Sequence, residues 1–88
     1  MALSRIQFVH QGLTAVYFGS GGSGIPVSQE GRCRRLLDSI AAATKPDDPD
    51  VPGSGYTLAG AKHSLQVAGA NKIVYEWRSG QAADIDYV

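Results

Sequence analysis

A single cysteine, Cys33, stands in a chain of 88 residues, so no internal disulfide can staple the fold and nothing calls for an oxidising compartment. No run approaches the roughly 18 apolar residues that cross a bilayer, and the first residues lack a basic stretch followed by an apolar signal core. Together these absences predict a cytoplasmic protein with no membrane partner. Net charge is missing too, eight basic residues standing against eight acidic ones, which excludes a nucleic-acid binder that announces itself by charge alone. With only two histidines, His10 and His63, the acid pair Asp84 and Asp86 has no histidine cluster to complete a metal site, and neither a metal nor a cofactor is expected.

What remains is an ordinary globular composition. Hydrophobic residues make up 43% and charged residues 18%, too apolar for a disordered chain. Residues 1–88 suffice for one domain with a thin core, burying about 60 to 65% of the unfolded surface. Charge is unevenly spread. Residues 1–46 hold Arg5, Arg32, Arg34, Arg35 and Lys45 against Glu30 and Asp38, while residues 47–88 hold six acids against three bases, or +3 against −3. This predicts a basic face for an anionic partner.

The order of elements follows from periodicity. Residues 6–9 read as a short strand, and Leu13, Val16 and Tyr17 fall at the spacing of a short amphipathic helix. The glycine-rich stretch 19–24 lacks the lysine of a phosphate loop and reads as a hinge. Pro26 suits the first turn of a second helix, with Ser28 as an alternative cap, in which Cys33, Leu36, Leu37, Ile40 and Ala41 form one apolar stripe. Lys45 is expected in its last turn, and Pro46 stops it ahead of an acidic connector rich in proline. Strands are expected at 56–58, 63–67, 72–78 and 83–87. His63, Leu65 and Val67 share one side, as do Ile73, Tyr75 and Trp77, and Ala83, Ile85 and Tyr87. The fold class is therefore α+β: two N-terminal helices on one face of a small antiparallel sheet of about four strands. The other face is left open and presents Gln66, Lys72, Glu76, Asp84 and Asp86.

Several local patterns resemble one family. His10-Gln11-Gly12-Leu13 is similar to an H-x-G-L opening, and Gly24-Ile25-Pro26 followed by Arg32, Arg34, Arg35 and Leu36 is similar to the entrance of that family's second helix. The run from Asp48 to Gly53 resembles a D-L-D-L-P-G connector, and Ile73, Gly80 and Asp84-Ile85-Asp86-Tyr87 follow its strand pattern. The chain thus resembles RelE-like toxins, nearest to HigB-type plasmid-maintenance killer proteins. The resemblance implies a toxin of a type II toxin–antitoxin system, a ribosome-dependent endoribonuclease that cuts messenger RNA without a metal or cofactor. It also implies a cognate antitoxin, a helix-turn-helix protein of HigA-like kind, with ribosome and messenger RNA as further partners.

Cleavage of this sort needs a general base, a general acid and cations around the developing charge. The candidates are Lys72, which stands at the family's sheet arginine, with His63, Asp86 and Tyr87. Lys62, Arg32, Arg34 and Arg35 are candidates for gripping RNA or ribosome phosphate. Against each stands a structural use: an ion pair of Lys72 with Asp84 or Asp86, a core place for His63 and Tyr87, and a solvated helix surface for the arginines. Thr57 and Ala59 occupy the positions of the family's histidine and lysine, and Val88 falls where a terminal histidine is expected. Two functions therefore stay open: an endoribonuclease, and a toxin relative, degenerate or ParE-like, that acts by binding gyrase or an antitoxin without cutting RNA.

Overall fold

The computed structural model describes residues 3–19, 24–50 and 52–88. Helix α1, Gln11–Phe18, begins where the His10 side chain accepts a hydrogen bond from the Leu13 amide at 3.3 Å. It ends at Gly19, whose φ of 73° is the left-handed closure that glycine adopts without strain. Helix α2, Val27–Ala42, buries Cys33, Leu36, Leu37 and Ile40, the stripe its sequence spacing predicts. Pro26 is its N-cap residue and not part of the first turn. The helix also stops before Lys45. The Asp48 carboxylate accepts from the Thr44 amide at 2.7 Å, the Thr44 hydroxyl at 2.9 Å and the Lys45 amide at 3.2 Å, holding both amides outside the helix. Those bonds lower the Asp48 pKa, the Thr44 amide contributing most.

Four strands follow, β1 (Thr57–Ala59), β2 (Lys62–Ala68), β3 (Asn71–Arg78) and β4 (Gln81–Tyr87), and they form one antiparallel sheet in sequence order. The α+β fold of two helices on a four-stranded antiparallel sheet is as the sequence predicts. Leu65, Val67, Ile73, Tyr75, Ala82 and Ile85 meet Leu13, Leu36, Leu37 and Ile40 in the core. The four central residues of the expected hinge, 20–23, and Val51 of the connector lie outside the described residues.

Two further expectations differ from the structure. Residues 6–9 do not form a strand. Arg5–Gln7 is a 3-10 turn, and only Phe8 bridges in parallel to Ile85, while the Val9 amide donates to the Ile85 carbonyl at 2.9 Å. Gln7 closes the turn, its Oε1 accepting from the Ser4 amide at 2.7 Å and its Nε2 donating to the Ala82 carbonyl at 2.8 Å. The pair Ser4-x-x-Gln7 is a capping-box spacing, a signal of a turn already present in the sequence. In β4, the pairing with β3 shifts between Val74 and Glu76, because Asp84 takes a left-handed φ of 51° and adds one residue opposite Tyr75. Ala82, not Ala83, therefore points into the core. A one-residue bulge exchanges the faces on either side of it.

Candidate functional site

The face of the sheet away from the helices is built in rows. Thr57, Ser64, Val74 and Asp86 lie side by side across the four strands, and Ala59, Lys62, Glu76 and Ala83 make the next row. Gln66 and Lys72 pair beside them, and the Lys72 backbone exchanges hydrogen bonds with Val88 at 2.7 and 2.9 Å. Thr57, Ser64 and Val74 fill the middle of this face, and charges stand along its β4 edge, at Asp86, and at its two ends.

At one end the charges neutralise one another. Lys62 meets Glu76 at 3.2 Å, Glu76 meets Arg78 at 3.6 Å, and Arg78 reaches Asp84 at 2.6 Å. Arg78, which the sequence reasoning did not single out, is the centre of this chain. The signal was available, since alternation from Lys72 puts Glu76 and Arg78 on one side. At the other end Lys72 is exposed, and among the described residues it makes no ion pair, while Asp84 pairs with Arg78. Asp86 lies one strand over on the same face, with its carboxylate accepting from the Tyr87 amide at 2.8 Å.

His63 and Tyr87 sit on the opposite face. His63 is 8% exposed, stacks on Tyr75 at 5.2 Å between ring centroids, and its Nδ1 is 2.7 Å from the Tyr56 hydroxyl. The Tyr87 hydroxyl donates to the side-chain oxygen of Gln29 in α2, and its ring lies against His10 at 5.5 Å. Burial pushes the Tyr87 phenol above its ordinary range, and Cys33 adds to this, so at neutral pH it can donate a proton in a hydrogen bond but does not serve as a base. Tyr56 is raised in the same direction, by burial first and by the Asp47 and Asp50 charges after it. The sheet thus divides the four catalytic candidates, with Lys72 and Asp86 on one side and His63 and Tyr87 on the other.

The three arginines of α2 do not form one patch either. Arg32 is tied down, its Nε donating to the Gln66 carbonyl at 3.0 Å and its Nη2 to the Gly53 carbonyl at 2.6 Å. Arg34, nearly opposite on the helix, pairs with Asp38 at 3.6 Å and lies over the Tyr17 ring. Arg35 is exposed beside Arg32, along a shallow cleft with Leu36, Ser39 and Gly53. The structural use of Arg32 carries a prediction. Arg32→Ala is expected to lower stability by about 2 kcal/mol, and Arg32→Lys to restore less than half, because a single ammonium does not span both carbonyls. Urea unfolding midpoints of the three proteins check this.

Among the described residues no three His, Cys, Asp or Glu side chains converge as metal ligands, and no helix is long and apolar enough to cross a membrane. No protein-family model matches the chain, and no curated protein matches it.

Proposed function

We propose that the chain is the growth-inhibiting member of a toxin–antitoxin pair, of RelE and HigB-like kind, acting in the cytoplasm by binding a partner with its open sheet face and not by cutting RNA. One observation carries this reading: the groups capable of acid–base work are separated by the sheet, His63 and Tyr87 being bonded beneath it, while the open face offers Lys72 with no histidine or tyrosine beside it. A lone ammonium and a nearby carboxylate suit recognition of a polar surface better than proton transfer in both directions. The resemblance in sequence supplies the toxin class, and an antitoxin of helix-turn-helix kind is the partner it implies.

The second reading is the metal-independent endoribonuclease acting on messenger RNA at the ribosome. It is favoured by Lys72 and Asp86 sharing a face on neighbouring strands, a cation and a base within one small area. Expression in growing cells, combined with mapping of messenger RNA ends, separates the two. Binding predicts growth arrest without new ends, relieved by Lys72→Glu. New ends that vanish in Lys72→Ala establish the nuclease instead, and growth unchanged by the wild-type protein sinks the toxin reading altogether.

A further inference from the structure

We infer that His10 is an acid-sensitive clasp on α1: protonation of its ring undoes the cap of the helix and loosens the first turn from the core. A backbone amide can only donate, so the bond from the Leu13 amide to Nδ1 at 3.3 Å requires that nitrogen to hold a lone pair. The His10 ring is therefore neutral in the folded chain, with its proton on Nε2. An added proton lands on Nδ1. It replaces the acceptor with a second donor facing the Leu13 amide, and it sets a positive charge against the positive end of α1. Both consequences act on the turn in which Gly12 and Leu13 are buried, Leu13 reaching the core. The ring also lies against Tyr87 at 5.5 Å, and the Tyr87 hydroxyl donates to Gln29, so His10 stands where α1, β4 and α2 meet.

The elements around His10 offer little to hold the charged ring in place. Helix α1, QGLTAVYF, has no charged residue, and Arg5 of the 3-10 turn lies over Phe18 at the other end of that helix. On β4 the Asp86 carboxylate is turned to the Tyr87 amide at 2.8 Å. On α2, Glu30 follows Gln29 and is the carboxylate whose charge opposes the effect, but among the described residues no ion pair joins it to His10. The unfolded chain takes up the proton freely, and the folded chain only by giving up the cap. Stability rises with pH wherever the unfolded state binds more protons, so the contribution of His10 is full above about pH 7.5 and is lost progressively below roughly pH 6.5. None of these groups carries the binding role given to Lys72, and the inference stands independently of the toxin reading.

The test compares the full chain with His10→Asn, which keeps a cap acceptor that does not titrate. Urea unfolding is followed by circular dichroism at about pH 7.5 and about pH 5, on either side of the histidine range. Between the two, the folding constant of the unsubstituted chain is expected to fall about tenfold further than that of His10→Asn. Asp48, His63 and the remaining titratable groups are common to both proteins and cancel from the comparison. A second measurement needs no variant. In NMR spectra of the unsubstituted chain the His10 nitrogens are expected to place the proton on Nε2 at about pH 7.5, and the Leu13 amide resonance to shift in step with protonation of the ring. Equal pH dependence of the two proteins overturns the inference. So does a Leu13 amide that stays in place while His10 takes up its proton, or a nitrogen spectrum with the proton on Nδ1 in the folded chain at about pH 7.5.

Discussion

Tyr75→Ala is expected to cost about 4 kcal/mol, the largest loss of any substitution considered, and to leave a substantial unfolded population at room temperature. Tyr75 is fully buried at the centre of the sheet and is among the largest side chains in the core. Its ring carries His63 in a near-parallel stack, with an interplanar angle of 18°, and its hydroxyl donates to the Pro46 carbonyl at 2.8 Å. Truncation therefore opens a cavity, removes the support of a buried histidine and leaves a connector carbonyl without its donor. Burial also raises the Tyr75 phenol far above its ordinary range, with Tyr56 and the connector aspartates adding to the effect, so the hydroxyl is a donor at neutral pH. Tyr75→Phe isolates the last contribution and is expected to cost only about 1 kcal/mol. Denaturant titrations by circular dichroism measure both. A loss below about 1.5 kcal/mol for Tyr75→Ala would show that the core closes over the missing ring.

Gly55→Ala is expected to lower stability by about 3 kcal/mol, although it adds a single methyl group in a surface connection. Two causes act together. The backbone there has φ of 65°, which an alanine holds only at a cost of about 1 kcal/mol, and the added Cβ would lie 2.4 Å from the Gln66 Cβ, closer than carbon atoms approach. Neither side yields easily, since the Gln66 amide donates to the Ser54 carbonyl at 2.9 Å and its carbonyl accepts from Arg32. The connector is thus clamped to β2 and α2 at one point. Gly53→Ala is the control. Its φ of 87° carries similar backbone strain, but no atom lies within 4 Å of the added Cβ, so about 1 kcal/mol is expected. Equal thermal midpoints for the two variants would show that the contact with Gln66 gives way.

The two glycines look alike in the sequence Pro52-Gly53-Ser54-Gly55, and this illustrates where legibility stops. Composition and turn chemistry mark a break there, but which glycine faces a neighbouring backbone is a property of the packed connector. The same holds for the candidate site. Alternation along β3 put Lys72 and Glu76 on the open face, and the alternation of β2 put His63 with Leu65 and Val67, as the structure has them. It gave no warning of the bulge at Asp84, nor that Asp84 would pair with Arg78. Arg32 was legible as a charge off the apolar stripe, yet its two carbonyl partners come from residues 21 and 34 positions further along the chain.

Local chemistry by itself determined the two helices, the meander and the division of the sheet into a greasy and a polar side, because periods of 3.6 and 2 are written in neighbouring residues and burial enforces them. Tertiary structure alone decided which charges find partners, which connector glycine is pressed against a neighbouring strand, and where a bulge re-aims the side chains of β4. Those outcomes rest on contacts between residues far apart in the chain, where a single extra residue in one strand changes what faces what.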